Sequence, residues 1–312
     1  MYRTVGIFLS IFLCTTLLRS PSRAEEPVRV FACEPEWAAL VSEVGGEKVR
    51  VFSATTARQN PHYVRAKPSM LAKIRKAELL VCSGASLEVG WLPILLRRGS
   101  ADIQRNKLGH LMAADFVETI EKPGRLDRSL GDMHAEGNPH VHLNPFNILL
   151  VAEEIHKRLG LIDVGGKAVY QQRYNQFESR WREAIPVWEK KAETIRAKVV
   201  VPHHKNMSYM FEWLGVESTL ALEDKPGIPP RMSHLKQLIT AFGDNKPHLI
   251  VRTPYEPSKP SQWLSDKIGV PEIVLPYTIG GDVHSKDLFS LYDRMIDLLA
   301  VSYTHLTLPT KA

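Results

Sequence analysis

The sequence predicts an α/β fold of two lobes, each a mainly parallel sheet flanked by helices, joined by one long rigid helix. Short apolar runs typical of buried strands alternate with segments of helical period at residues 25–164 and again at residues 198–300. A polar, helix-favouring stretch at residues 165–197 separates the two series. At about 1.5 Å per residue, a helix of that length spans a lobe. The alternative interpretation is one larger doubly wound domain with a long surface helix.

The first lobe opens with the strand-like run "VRVFAC" and the segment "EPEWAALVSEVGG", in which Trp37, Leu40 and Val44 recur at helical spacing. "KVRVFSA" and "ELLVCSG" are the next predicted strands, and "PSMLAKIRKA" is a predicted helix between them. "NPFNILLVAEEIHKRLG" is a predicted helix with Asn144 as its N-cap and Pro145 in its first turn.

The connecting helix and the second lobe follow. Pro186 should kink or interrupt the connecting helix, because proline removes a backbone donor and clashes with the preceding turn. The predicted strands of the second lobe are "KVVV", "HLIV" and "EIVL". Its predicted helices are "MSYMFEWLG", "HLKQLITAFG", "PSQWLSDKIG" and "LFSLYDRMIDLLA".

The first 24 residues are typical of a cleavable export signal. Arg3 precedes an apolar run, and "SRA" ends at Ala24 with small residues at the cleavage positions. Leu13 precedes Cys14, where a lipoprotein signal has a small residue, so we expect a periplasmic protein without a lipid anchor. Removing residues 1–24 removes three arginines and no acidic residue, and the net charge falls from +6 to +3. The charge therefore gives no reason to expect a nucleic-acid partner.

The carboxyl-terminal residues and two cysteines are two further features of the sequence. Residues 301–312 have no helical period and are expected to be a non-native tail. Cys33 and Cys82 each lie in a strand-like apolar run, without CxxC spacing. Export permits a disulfide between them, and two buried thiols are the alternative.

Several histidines follow predicted strands, and ligands of open α/β sheets bind beyond the carboxyl ends of strands. His62 follows "KVRVFSATTARQNP", while His203 and His204 directly follow "KVVVP". His284 follows "EIVLPYTIGGDV", and His140 lies in "NPHVHLNP" before a helix. Three neutral imidazoles and one carboxylate would satisfy a tetrahedral zinc ion. The sequence therefore predicts a metal site assembled from distant loops.

Three segments resemble the zinc/manganese-binding solute-binding proteins of ABC-type metal importers, and the resemblance covers about residues 28–300. "ATTARQNPHYVRAKPSMLAKIRKAELLVCSGASLEVGWL" is similar to the first ligand segment of the family and places a ligand at His62. "NPHVHLNP" resembles the Asp-Pro-His segment and places a ligand at His140. "PHHKNMSYMFEWLG" resembles the third segment, in which the ligand, here His204, lies five residues before a tyrosine, here Tyr209.

The fourth ligand is where the chain departs from the family. Many members carry an aspartate near the end of the last strand, and Thr278 is the nearest match here. Asp282, four residues further on, is our predicted fourth ligand. Glu223, Asp224, Glu256 and water are the alternatives.

Three other histidines lie near these segments. We expect His203 to pack beside the site, and His142 to support the site or to be an alternative ligand. His134 is expected to contribute little, as a short remnant of the histidine-rich loop that many family members carry.

The resemblance implies a monomeric, extracytoplasmic protein that holds a divalent metal between two lobes. It would deliver the ion to an ABC permease driven by a cytoplasmic ATPase, with no organic cofactor and no catalysis. Neutral histidines favour Zn²⁺, and Mn²⁺ is the second candidate because it prefers more oxygen donors. An exported zinc hydrolase is one alternative, although the sequence lacks HExxH. A metal buffer or an adhesin without a permease partner is another.

Overall fold

A computed structural model shows the architecture of most of the chain. The predicted export signal lies outside the residues that the structure describes, and so does the predicted tail beyond residue 304. The described residues are 26–124, 131, 134–218 and 220–304.

The first lobe contains a four-stranded sheet in the order β2-β1-β3-β4, and all of its strands are parallel. The strands are β1 Val28–Ala32, β2 Val49–Ser53, β3 Leu79–Cys82 and β4 His110–Met112. Parallel order requires crossovers, and helices supply them. The helices are α1 Pro35–Gly45, α2 Pro68–Ile74, α3 Leu92–Leu96 and α4 Pro145–Ile162.

The elements of this lobe form for the reasons visible in the sequence. Trp37, Leu40 and Val44 of α1 are fully buried against the sheet, as their helical spacing predicts. Helix α4 begins at Pro145, and the Asn144 side chain caps it by accepting a hydrogen bond from the backbone N–H of Phe146 at 2.9 Å.

The connecting helix, α5, runs from Lys167 to Lys191 without the interruption expected at Pro186. Pro186 is exposed, so water can reach the backbone carbonyl that loses its helical hydrogen bond. Helix α5 packs against α1 and α4 of the first lobe. In the second lobe it packs against α9, whose Tyr292 stacks on Trp188 with ring centroids 4.9 Å apart.

The second lobe contains a three-stranded parallel sheet in the order β5-β6-β7. The strands are β5 Val200–Pro202, β6 Leu249–Arg252 and β7 Glu272–Val274. The helices are α6 Ser208–Leu214, α7 Met232–Phe242, α8 Ser258–Ile268 and α9 Leu288–Thr304. One buried apolar cluster contains residues of both lobes and of α5. The predicted fold class, two α/β lobes joined by a long helix, is confirmed.

A disulfide joins Cys33 and Cys82 at the carboxyl ends of β1 and β3. Their Cα atoms are 4.8 Å apart, a separation typical of disulfides. This pairing is one of the two arrangements that the sequence left open. Among the described residues, no helix combines the length and the apolar character that a membrane crossing requires.

Candidate metal centre

Three of the four predicted ligands lie together. His62, His140 and His204 each offer one nitrogen, and these three nitrogens lie within 4.8 Å of one another. The ring centroids of His62 and His140 are 5.5 Å apart, and the His204 ring is 5.8 Å from the first and 6.0 Å from the second. Segments far apart in the sequence therefore converge, as the strand-end argument predicts.

The Asn60 side chain orients the imidazole of His62. His62 lies in the short 3-10 turn Pro61–Tyr63, and its backbone N–H donates to Asn60 Oδ1 at 3.0 Å. The same oxygen lies 2.8 Å from His62 Nδ1, so Nδ1 carries the proton and the lone pair is on Nε2. The buried indole of Trp91 donates to the Pro61 carbonyl at 2.9 Å and anchors the turn.

His140 is held by partners from both lobes. Its backbone N–H donates to Asn138 Oδ1 at 3.0 Å, and its Nδ1 lies 2.5 Å from the hydroxyl of Tyr277. The residue is only 1% exposed. Nε2 is buried and has no hydrogen-bond partner among the described residues, so the nitrogen that faces the other histidines is available to a ligand.

A carboxylate orients His204. Its Nδ1 lies 2.6 Å from Glu223 Oε2, which also accepts a hydrogen bond from the Gly227 backbone N–H at 2.7 Å. A carboxylate behind a metal-ligating histidine fixes the tautomer and makes the other nitrogen a better donor. In all three histidines Nδ1 is thus hydrogen-bonded, which makes Nε2 the nitrogen suited to bind a shared ion.

Burial keeps His62 and His140 neutral. Desolvation lowers the pKa of His62 and of His140 well below the usual value, and the neighbouring histidines lower both further. A neutral imidazole is the form that binds metal. Burial also raises the pKa of Glu256 to about 7, while the hydrogen bond from the Thr253 backbone N–H acts in the opposite direction.

A cavity of about 200 Å³ opens beside the histidines between the two lobes. His134 and His140 from the first lobe face His204 and Lys205 from the second. The remaining lining residues are Glu121, Pro123, Gly137, Asn138, Pro139 and Pro226. The cavity is therefore the inter-lobe cleft in which the resemblance places the metal.

His134 lies closer to the site than the sequence suggested. Its Nε2 is 3.2 Å from His62 Nε2, and the two ring centroids are 5.2 Å apart. The lone pair on His62 Nε2 can accept a hydrogen bond from His134 Nε2–H at this distance. Only the folding of the loop brings these residues together, since 72 positions separate them.

Asp282, the predicted fourth ligand, lies elsewhere. Its Oδ1 accepts hydrogen bonds from the backbone N–H groups of His284 and Ser285 at 3.0 and 2.9 Å. Its Oδ2 accepts from Arg294 Nε at 2.7 Å. These bonds hold the carboxylate in its own surface turn, away from the three histidines, which argues against Asp282 as the fourth donor.

Thr278 and two of the alternative carboxylate donors also have hydrogen-bond or ion-pair partners of their own. Thr278 donates to the buried carboxylate of Glu36. Asp224 pairs with Arg231 at the surface. Glu256 Oε2 accepts from the Thr253 backbone N–H at 2.6 Å, and Glu256 Oε1 accepts from Asn206 at 3.2 Å.

The two remaining candidate histidines lie outside the group of three. His142 Nε2 donates to the backbone carbonyl of Tyr277 at 3.1 Å, and His142 Nδ1 lies 3.3 Å from Glu36 Oε1. His203 is 2% exposed, and burial lowers its pKa to about 4. His203 Nε2 is 4.0 Å from Glu223 Oε1.

Sequence reasoning missed the supporting asparagines, although a signal was present. Asn-Pro-His occurs twice, ending at His62 and at His140. In both copies the asparagine Oδ1 accepts a hydrogen bond from the histidine backbone N–H at 3.0 Å. An asparagine that bonds to a backbone two residues ahead forms a local turn, so the repeated motif predicts two similar ligand turns.

A family model covers most of the chain. It is described as "Zinc-uptake complex component A periplasmic" (ZnuA) and matches residues 30–301. The chain belongs to this family. Family membership agrees with the two-lobed fold and with the convergence of histidines in the cleft.

Two curated relatives match nearly the full length. The chain is 23% identical over 308 residues to the manganese ABC transporter substrate-binding lipoprotein PsaA of Streptococcus pneumoniae serotype 4, covering 94% of this chain and 96% of the relative. It is 22% identical over 278 residues to the iron ABC transporter substrate-binding lipoprotein MtsA of Streptococcus pyogenes serotype M1, covering 86% of each. The chain is thus a member of a family of extracytoplasmic substrate-binding proteins of metal importers.

Solved structures share the fold. A crystal structure of ZnuA superposes with a TM-score of 0.73 at 19% identity, over 89% of this chain and 100% of the other. The Mn-bound periplasmic metal binding protein from Candidatus Liberibacter asiaticus superposes with a TM-score of 0.70 at 17% identity, over 88% of this chain and 100% of the other. At these identities the likeness concerns the fold.

Proposed function

We propose that the protein captures Zn²⁺ in the inter-lobe cleft and delivers it to an ABC permease for import. One observation carries the proposal: His62, His140 and His204 each offer a nitrogen within 4.8 Å of the other two, while each Nδ1 is held by a different hydrogen-bond partner. Such preorganisation of neutral nitrogen donors suits capture of a divalent ion.

The donor set favours zinc over manganese. Manganese sites prefer carboxylate, carbonyl and water oxygens, whereas the three converging donors are imidazoles. The curated relatives are described as manganese and iron transporter proteins, so the choice of metal needs a direct test.

We propose His134 as the fourth donor. It lines the inter-lobe cavity, and its Nε2 lies 3.2 Å from His62 Nε2, a separation that matches two nitrogens on one tetrahedral ion. An ion bound there would replace the hydrogen bond between the two rings. Water in the fourth position is the alternative.

The remaining parts of the proposal concern the cell. The protein would be a monomer, exported to the periplasm, working with a membrane permease and its cytoplasmic ATPase. Although the curated relatives are lipoproteins, the residue before Cys14 favours a protein without a lipid anchor. Mass spectrometry of the mature amino terminus would decide, since a lipidated Cys14 as the first residue would contradict this.

Competitive titration with Zn²⁺ and Mn²⁺ at neutral pH tests the function. We expect tighter binding of Zn²⁺, one ion per chain, and a loss of at least about 100-fold when His62, His140 or His204 is changed to alanine. Metal-dependent hydrolysis of ester or peptide substrates, abolished by His140→Ala, would instead support the hydrolase alternative. Equal affinities of all three variants and the unmodified protein would contradict the proposed site.

A further inference from the structure

Asn138 lies where the two lobes meet beside the histidines. Its backbone N–H donates to the Ile120 carbonyl at 2.8 Å within the first lobe. Its backbone carbonyl accepts a hydrogen bond from the Tyr209 hydroxyl of the second lobe at 2.7 Å. The residue is 7% exposed, so these bonds are largely shielded from water.

The side chain of Asn138 makes three more hydrogen bonds. Oδ1 accepts from the His140 backbone N–H at 3.0 Å. Nδ2 donates to Glu121 Oε2 and to the Lys205 carbonyl, both at 2.8 Å. Lys205 directly follows His204, so one amide group connects the loop of His140 to the loop of His204.

Glu121 is placed to receive this amide. Its backbone has a φ of 55°, a left-handed conformation that residues other than glycine rarely adopt. Its Oε1 accepts from Ser208 Oγ of the second lobe at 3.1 Å, and its Oε2 accepts from Asn138. The Glu121 carboxylate therefore links Asn138 of the first lobe to Ser208 of the second, which is a second connection between the lobes.

We propose that Asn138 is a positioning residue that sets the separation of His140 and His204 through the donor hydrogens of its amide. The inference rests on the proposed function, since it assigns these two histidines to one ion. Aspartate, which the resembling family segment has at this position, has no such hydrogens when ionised. It would face the Lys205 carbonyl and Glu121 with acceptors only.

The other Asn-Pro-His turn supplies a matched comparison. Asn60 Oδ1 accepts both hydrogen bonds that orient His62. Asn60→Asp keeps an oxygen that can accept both hydrogen bonds and adds a negative charge near the site, so we expect tighter binding of Zn²⁺, by up to about threefold. Asn138→Asp keeps one acceptor and loses two donors, so the same substitution should act in the opposite direction.

The decisive experiment exchanges donor and acceptor in the hydrogen bond between Asn138 and Glu121 by combining Asn138→Asp with Glu121→Gln. We expect Asn138→Asp to weaken Zn²⁺ binding at least about tenfold. Glu121→Gln alone should weaken it by no more than about threefold, because the rotated amide can still offer its oxygen to Asn138. In the double variant the new amide at position 121 can donate to the new carboxylate at position 138, and at least about threefold of the loss should return.

Zn²⁺ titration and urea unfolding without metal are measured on all four proteins and on Asn60→Asp. Coupling of the two substitutions in both measurements would support the inference. An Asn138→Asp affinity within about twofold of the unmodified protein would overturn it, and so would an undiminished loss in the double variant. If the unmodified protein bound no Zn²⁺, the proposed function would be wrong. Urea unfolding without metal would still test whether Asn138 links the two lobes. If Asn138→Asp and Glu121→Gln then changed the free energy of unfolding additively, without coupling, that link would be contradicted as well.

Discussion

Replacing Glu223 with alanine tests whether the partners of the histidines, and not only the ligands, determine metal affinity. Glu223 Oε2 holds His204 Nδ1 at 2.6 Å and the Gly227 N–H at 2.7 Å. Its side chain is 12% exposed, so water replaces it poorly. Removing such a partner typically lowers metal affinity about 10- to 100-fold, which corresponds to roughly 1.4–2.7 kcal/mol.

Glu223→Gln separates orientation from charge. Its amide oxygen can still accept from His204 Nδ1, while the negative charge is lost, so we expect a smaller decrease, of about three- to tenfold. The assay is competition for Zn²⁺ with a chromophoric chelator at about pH 7.5, where burial keeps His62 and His140 neutral. Asp224→Ala is the matched control, because this neighbour pairs with Arg231 at the surface and should change affinity less than about twofold. An affinity for Glu223→Ala within about twofold of the unmodified protein would refute the reasoning, as would an equal loss for Asp224→Ala.

Three further predictions concern the fourth donor, the Tyr277 hydroxyl and a buried carboxyl pair. His134→Ala should weaken Zn²⁺ binding about tenfold in a calorimetric titration. An unchanged affinity would contradict His134 as the fourth donor and would favour water in that position. Tyr277→Phe should weaken it by about tenfold, because His140 loses its partner at 2.5 Å; an unchanged affinity would show that the hydroxyl does not orient the ring. Burial raises the pKa of Glu88 to about 7 and also raises that of its hydrogen-bonded neighbour Glu34. For this carboxyl pair the folded state therefore binds more protons than the unfolded state between pH 4.5 and about 7, so the contribution of the pair to stability without metal should fall as pH rises through this range. The buried histidines, whose pKa values are lowered, contribute in the opposite direction. In urea unfolding, Glu88→Gln should therefore change the difference in stability between pH 4.5 and about 7 by roughly 1–3 kcal/mol relative to the unmodified protein, and an unchanged difference would contradict the assignment.

The fold and the convergence of three histidines could be predicted from the sequence, because both depend on the order of strands and loops along the chain. Parallel strands end at one edge, so loops that follow strands converge, and His62, His140 and His204 lie in such loops or beside them. The buried face of α1 could be predicted as well, because Trp37 and its apolar neighbours recur at helical spacing.

The other contacts at the site could not be predicted, because they depend on the directions of side chains in the folded protein. Asp282 lies four residues after Thr278 in the chain, but Arg294 from α9 and its own turn satisfy its carboxylate. His134 reaches His62 through a loop path that no local pattern encodes. Tyr277 supports His140 from the other lobe, across 137 positions of sequence. Such pairings follow from the packing of the lobes.

A crystal structure of the protein grown with Zn²⁺, with anomalous data collected on both sides of the zinc edge, tests the central claim most directly. The proposed site predicts one zinc peak about 2.0–2.1 Å from Nε2 of His62, His140 and His204. Each Nδ1 should keep its bond to Asn60, Tyr277 or Glu223. A peak held by Asp282 or other carboxylates, or coordination through Nδ1, would contradict the account.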